Sequence, residues 1–346
     1  MRRFVVLIVV LLLFAPRVCA LEITAPEVPD SASDIMPDHP ETFAEGLWDL
    51  IKAVAKRVQP ELTEAAGVCI SIFAAVLLIS MLQPIAGHGK RIAELVCTLC
   101  IAVILLQPTR SLIALGVDTV REVTEYGKLL LPVMTAALAA QGGVTTSTAL
   151  YTGTAMFNTV LTSITSALLI PMIYIFIVLA VANSAIGEDI LKKLRDFIKW
   201  GATWVLKLSL YAFTGYLGIT GVISGTTDAA ALKVTKMAIG GVVPVVGGIL
   251  SDASEAVLLS AGAVKNAAGI YGMLAVLAVC LEPFALIGIQ YLLLKLTGAV
   301  CSVFATKQST ELINDFSAAM GLLLAATGSI CLMLLISTVC FMKGVG

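Results

Sequence analysis

Long apolar runs, each close to the length of a membrane-crossing helix, are the feature that most limits how this chain can fold. Hydrophobic residues make up 59% of the 346 residues and charged residues only 13%, about half the charged share of an ordinary soluble domain. A chain this apolar cannot present a water-compatible surface on all sides, and about 20 apolar residues suffice for a helix to cross a bilayer. The sequence therefore predicts an all-α transmembrane helical bundle.

Six runs are long enough to be transmembrane helices, and two further apolar segments are interrupted by glycine and proline. The six runs are 66–86, 92–116, 158–182, 200–223, 267–294 and 316–342. We expect the interrupted segments, 129–150 and 237–250, to be broken or re-entrant elements that do not cross. Lys90, Arg91 and the basic segment 183–200 mark the cytoplasmic side. Both markers agree only if 129–150 does not cross, which predicts six crossings.

The chain before the first run divides into three parts. Residues 1–20 combine Arg2 and Arg3 with a short apolar core and small residues up to Ala20, which is typical of a signal peptide; an uncleaved anchor is the alternative. Residues 21–41 are acidic and proline-rich, as expected of an extended extracytoplasmic segment. Residues 42–65 have apolar side chains at helical spacing, and the multi-pass membrane domain follows at 66–346.

Amphipathic and polar segments predict further features at the membrane surface. The helix at 42–65 either lies at the outer interface or packs on the rest of the protein, and the pattern does not decide between them. The charged residues of 117–128 indicate an outer loop or a short helix. Residues 183–200 place apolar and basic side chains on opposite faces, which predicts a basic amphipathic helix at the inner leaflet.

Motifs of catalysis and cofactor binding are missing from the sequence. It contains neither a nucleotide-binding P-loop nor an H-E-x-x-H motif, and only two histidines are present. Cys97 and Cys100 form a C-x-x-C pair within an apolar run, but no second pair or suitably spaced histidine completes a zinc site. The net charge of −1 disfavours nucleic acid as a partner. We therefore expect a non-enzymatic protein without cofactor or metal.

A glycine–proline motif at the centre of 237–250 is the first candidate for a functional site. Glycine permits close backbone approach, and proline leaves a backbone carbonyl without its helical donor. Exposed carbonyls of this kind can line a pore or bind an ion, whereas tight helix packing through small residues explains the glycines equally well. The motif comprises Gly240, Gly241, Pro244, Gly247 and Gly248.

Two charged residues within apolar runs are the second candidate. Glu282 lies well inside the run 267–294, where a charge is costly unless it is paired or solvated. It is either a proton or ion site, a partner of Lys207 or Lys295, or a protonated donor to a carbonyl. Lys207 lies close enough to the inner end of its run to extend towards the interface.

Three ungapped strings in the second half of the chain carry a resemblance to a known family. Trp204–Ala231 reads WVLKLSLYAFTGYLGITGVISGTTDAAA, Gly240–Gly272 reads GGVVPVVGGILSDASEAVLLSAGAVKNAAGIYG, and Tyr291–Leu296 reads YLLLKL. With these strings the chain resembles the stage III sporulation protein AE family of endospore-forming bacteria. The signal segment, the acidic segment and the order of the runs agree with that family.

The resemblance implies a place and a set of partners. Family proteins belong to the channel, or feeding tube, between mother cell and forespore, in the mother-cell-derived membrane around the forespore. The partners implied are a cytoplasmic secretion-type ATPase and ring-forming proteins of the same operon, and self-association is left open. The family brings no enzymatic residues, and the glycine–proline motif transfers without a known role.

Two other functions are alternatives to a channel component. A self-sufficient secondary transporter of a small solute would use the broken segments and Glu282. A membrane scaffold without a conduit would use the glycines for packing alone.

Overall fold

The computed structural model describes residues 26–37, 42–82, 90–141, 143–186, 191–242 and 247–343, and only the backbone of residues 82, 90, 218–242 and 247–267. The predicted signal peptide and the two ends of the acidic segment, 21–25 and 38–41, lie outside the described residues. Within them the chain forms helices and no strand. The helices are α1 (Asp30–Ser33), α2 (Phe43–Leu82), α3 (Lys90–Ala140), α4 (Val144–Ile164), α5 (Ile170–Ile186), α6 (Lys192–Val242), α7 (Gly247–Cys301) and α8 (Lys307–Lys343).

The long helices pack alternately up and down. Helices α7 and α8 are antiparallel, because Gly298 faces Asn314 at one end of their contact and Phe284 faces Gly328 further along. Helices α3 and α4 are also antiparallel, and the Thr124 and Thr162 hydroxyls hydrogen-bond at 2.7 Å between them. Small residues at several of these crossings allow the close backbone approach on which helix packing in membranes depends.

Two apolar cores follow one another along the bundle. One core is built around Ile101, Phe176 and Phe316, from the start of α3, from α5 and from the first half of α8. The other is built around Tyr126 and Phe341, further along α3 and α8. Because α3 and α8 run through both cores, the two cores lie one after the other along the length of the bundle.

Five stretches in the described residues are long and apolar enough to cross a membrane. They are Phe43–Met81, Arg91–Ala140, Val144–Ile186, Ala268–Cys301 and Lys307–Met342. The protein is thus an all-α helical membrane bundle, as the sequence predicted. Helix α3 alone, with 51 residues, is about 75 Å long, more than twice the roughly 30 Å of a bilayer's hydrocarbon core.

The structure joins segments that the sequence pattern separated. Residues 117–128, expected as a loop or short helix, are the middle of α3. The amphipathic segment 42–65 continues into the first apolar run as α2. Helix α4 continues through a π-helical turn, Thr165–Leu169, into α5. Charged residues favour helix as readily as apolar ones do, so a change of polarity along the chain need not end a helix.

The two interrupted segments are junctions between long helices. Helix α3 ends at Ala140 and α4 begins at Val144, so the break in 129–150 falls at its glycine pair. Gly142 lies outside the described residues, and Gly143 precedes α4. Glycine is the residue that most readily ends a helix. The two halves of 129–150 therefore belong to two long helices and do not form an independent element.

The predicted basic helix at 183–200 is wrong in its extent. Helix α5 ends at Ile186 and α6 begins at Lys192, so two helices share the segment. Its basic residues also do not form one solvated face, since the Arg195 side chain is 7% exposed. Acidic residues of α8 reach Arg195, and they are too distant in sequence for a local pattern to reveal.

Candidate functional site

The glycine–proline motif lies where two of the longest helices meet. Gly240 and Gly241 belong to the last turn of α6, and Gly247 and Gly248 begin α7. Pro244 lies outside the described residues, as do the side chains on both sides of it. The segment 237–250 is therefore not a separate short helix. Its glycines stand at two helix ends, where unpaired backbone groups are concentrated.

Glu282 pairs with Arg57, a residue that sequence reasoning did not connect with it. Arg57 Nε lies 3.3 Å from Glu282 Oε2, and the two side chains are 43% and 25% exposed. The pair joins α2 to α7, so neither Lys207 nor Lys295 is the partner. A carboxylate with a counter-ion and partial solvent access needs no bound ion to stabilise its charge.

The apolar face of the first part of α2 explains why Arg57 reaches α7. Leu50, Val54 and Val58 are buried in the core that includes Leu274 of α7. Of the two sequence-based alternatives for 42–65, the structure therefore has the helix packed on the protein. The opposite face, with Trp48 at 59% exposure, is left outside the core.

Lys207 is exposed on α6 and forms no ion pair with a described residue. That its side chain extends towards a membrane interface stays a prediction. Nearby, Phe197 stacks on Trp200 with ring centroids 5.9 Å apart, and Trp200 contacts Trp204 in a tilted arrangement at 6.3 Å. All three side chains are more than half exposed. Exposed tryptophans of this kind are typical of a membrane–water interface. Their spacing of three and four residues was a signal that sequence analysis passed over.

Charged side chains tie the start of α6 to the start of α8. Arg195 Nη1 lies 2.5 Å from Asp315 Oδ2 and 3.9 Å from Glu311 Oε2. Lys192 Nζ lies 3.2 Å from Glu311 Oε1, and Asp196 accepts from Arg195 at 3.1 Å. We call these five residues the Arg195 cluster.

The Arg195 guanidinium keeps its charge despite its burial. Burial lowers the pKa of Arg195, but the charges and hydrogen bonds of Asp315 and Asp196 outweigh burial and raise its pKa above the ordinary value. Because the Asp315 side chain is only 13% exposed, the pair is shielded from water and salt. The cluster therefore links the start of α6 to the start of α8 through a buried ion pair.

Buried polar side chains form hydrogen bonds between α4 and the helices that pack against it. Thr154 Oγ1 donates to Ser337 Oγ of α8 at 3.0 Å. Tyr216 of α6 donates its hydroxyl proton to the Ala149 carbonyl at 3.0 Å, and its ring covers Gly153, where a β-carbon would collide with it. These hydroxyls satisfy one another or a backbone carbonyl, so they stabilise helix contacts and require no ligand.

The two cysteines of the C-x-x-C pair lie in different surroundings. Cys97 is buried and accepts a hydrogen bond from Ser309 Oγ at 3.7 Å, whereas Cys100 is exposed. Among the described residues, no three histidine, cysteine or acidic side chains come together to hold a metal ion.

Comparison with known protein families gives a match over most of the chain. A profile of the family Stage III sporulation protein AE matches residues 38–344. The chain belongs to that family. It is 23% identical over 257 residues to Stage III sporulation protein AE of Bacillus subtilis (strain 168), an alignment that covers 72% of this chain and 62% of the relative. The match thus spans less than two thirds of the relative's length.

No solved structure matches the chain. The family match includes both the Arg195 cluster and the glycine–proline motif, since residues 38–344 contain all of their positions.

Proposed function

We propose that this stage III sporulation protein is a non-enzymatic membrane subunit of the channel that links mother cell and forespore. Its family membership across 38–344 is the observation that carries the proposal. In this proposal the chain lies in the mother-cell-derived membrane around the forespore. It acts there with a cytoplasmic secretion-type ATPase and ring-forming proteins of the same operon, and it is required for late forespore development.

Exposed charges in the middle of α3 support the inference that part of the bundle lies outside the lipid. Asp118, Arg121 and Glu125 are exposed, and Arg121 Nε pairs with Glu125 at 3.1 Å on the helix surface. Three exposed charges within eight residues are too costly for the hydrocarbon core. We infer that the bundle leaves the lipid here and continues beyond it.

Exposed apolar side chains beyond those charges support assembly with other subunits. Leu129, Val144 and Met156 are each more than half exposed, although they lie on the far side of the charged zone. Apolar surface in such a position is typical of a protein–protein contact. A subunit of a larger complex needs such a surface to contact its partners, whereas a transporter that works alone does not.

The glycine–proline motif fits the pore or export-gate part of such a channel. The glycines stand at the end of α6 and at the start of α7, where backbone groups lack partners within their own helix. We propose that these groups contribute to the conduit. Pore-accessibility labelling tests this part: single cysteines at Gly240 or Gly248 should react with a membrane-impermeant maleimide from water. Complete protection from the reagent in assembled channels would contradict it.

Co-purification from sporulating cells tests the proposal as a whole. A tagged chain should bring down the secretion-type ATPase and the ring-forming proteins during sporulation. A clean deletion should block late forespore development, and growth of vegetative cells should stay normal. Normal sporulation after deletion would contradict the proposal. Solute uptake by liposomes that contain only this chain would favour the transporter instead.

A further inference from the structure

Two cysteine side chains, one from α7 and one from α8, meet inside the bundle and take no part in the features described so far. The thiols of Cys280 and Cys331 share a hydrogen bond. Both residues are buried, at 6% and 8% exposure, and both carry free thiols in this structure. Two neighbouring thiols are the starting material of a disulfide bond.

The register between α7 and α8 brings the two cysteines together independently of their hydrogen bond. The Tyr291 ring of α7 lies against Gly321 of α8, and seven residues along each helix the Phe284 ring lies against Gly328. About one further turn in the same antiparallel register is four residues back in α7 and three residues forward in α8. These steps reach the two cysteines, so their meeting follows from the packing of the whole helix pair.

Close packing of the two helices makes a covalent link between these positions feasible. A β-carbon at Gly321 or Gly328 would lie 3.2 or 3.1 Å from the ring of the opposite helix, so the helix backbones approach closely beside the cysteines. A disulfide needs Cβ atoms about 3.5–4.5 Å apart, a spacing that only closely packed helices provide. Thiols that are already hydrogen-bonded need little movement to reach it.

The pair lies at the level where the bundle leaves the lipid. Glu122, in the charged middle of α3, is close enough to act electrostatically on the Cys280 thiol. The partly exposed Glu282 is two residues further along α7. Because α3 begins at the basic residues that mark the cytoplasmic side, its middle lies towards the opposite side of the membrane. Disulfides form and persist outside the cytoplasm, whereas cytoplasmic thiols are kept reduced.

We propose that Cys280 and Cys331 form an intramolecular disulfide that locks α7 to α8 on the non-cytoplasmic side of the membrane. This inference rests on the membrane location given in the proposed function. The two thiols lose two protons and two electrons as the S–S bond forms. The disulfide of an extracytoplasmic thiol–disulfide oxidoreductase accepts them by exchange and becomes two thiols. The exchange takes place while α7 and α8 assemble, and their packing then shields the new bond from reductants.

Mass spectrometry of the full-length chain tests the bond directly. Membranes from sporulating cells are quenched with acid, free thiols are blocked with N-ethylmaleimide in denaturant, and the protein is digested without reductant. We expect most chains to give a peptide pair that is linked through Cys280 and Cys331 and that a reductant separates. Cys97 and Cys301 lie near the cytoplasmic ends of α3 and α7. They are the internal control and should carry maleimide.

Thermal unfolding in detergent adds a readout that packing alone would not give. Prolonged reduction should lower the melting temperature of the natural chain by at least about 5 °C. It should leave the variants Cys280→Ala and Cys331→Ala and the double variant unchanged. Each single variant should lose as much as the double variant, because either one removes the bond, whereas independent packing losses would add. The control Cys301→Ala should keep the effect of reduction.

Two results would overturn the proposal. The first is maleimide on both Cys280 and Cys331 in most chains, and the second is an equal effect of reduction on the natural chain and the double variant. The disulfide and the channel function fail separately. Normal sporulation after deletion contradicts the channel function and leaves the linked peptides in place. Free thiols in a chain that co-purifies with the ATPase contradict the disulfide alone.

Discussion

Replacing Arg195 by methionine should destabilise the bundle far more than an ordinary surface charge does. The Arg195 and Asp315 side chains are 7% and 13% exposed, with 2.5 Å between Nη1 and Oδ2. Removing the arginine leaves the Asp315 carboxylate buried without its nearest counter-ion. Loss of one partner of a buried pair costs about 3–5 kcal/mol, and we expect the free energy of unfolding to fall by that amount.

The assay is unfolding by sodium dodecyl sulfate in mixed micelles, followed by tryptophan fluorescence. Trp200 lies close to Arg195 on α6 and reports on this end of the bundle. Lys52→Met is the control, because the Lys52–Asp49 pair at 3.3 Å is more than half exposed on both sides and contributes about 0–1 kcal/mol.

A second variant distinguishes a lost ion pair from a lost fold. Arg195→Met combined with Asp315→Leu removes both charges and should recover most of the stability, because an apolar pair is a good substitute for a buried ion pair. If Arg195→Met alone costs no more than Lys52→Met, the Arg195 cluster does not hold α6 against α8, and the reasoning fails.

Two further predictions concern helix contacts. Gly153→Leu should lower the free energy of unfolding by about 1–3 kcal/mol in the same assay, because the Tyr216 ring occupies the space that the new side chain needs. The control Gly215→Leu should have little effect, since nothing lies within 4 Å of its β-position. Equal losses in the two variants would contradict the role of the Gly153–Tyr216 contact. Glu282→Gln should cost about 1 kcal/mol or less, since its ion pair with Arg57 is partly exposed; a loss of 3 kcal/mol or more would show that the carboxylate has a further partner.

The sequence patterns predicted the apolar stretches within the helices well and the residues at which the helices end poorly. The run 92–116 lies inside α3, yet the helix continues to Ala140 through the charged residues of 117–128. Hydropathy registers a change of environment along the chain, whereas a helix ends where its backbone geometry changes. The glycine pair at 142–143 was therefore a better sign of a boundary than the charges were.

Local sequence patterns could not predict which residues form the ion pairs of the candidate sites. The carboxylate of Glu282 was recognisable as a costly group in an apolar run, but its partner Arg57 lies 225 positions earlier in another helix. The Arg195 cluster also joins distant parts of the chain, since Asp315 is 120 positions from Arg195. Periodicity reports which face of a helix is apolar, and it contains no information about which helix that face meets.

The sequence by itself determined that this protein is a helical membrane bundle, because only intrahelical hydrogen bonds satisfy the backbone of such long apolar runs in lipid. Three ungapped strings also indicated its family before any contact was known. The tertiary structure decided that the interrupted segments are junctions between long helices, that Glu282 is paired, and that the Cys280 and Cys331 thiols meet. These features depend on the register between helices, which side-chain packing fixes once the whole bundle is assembled.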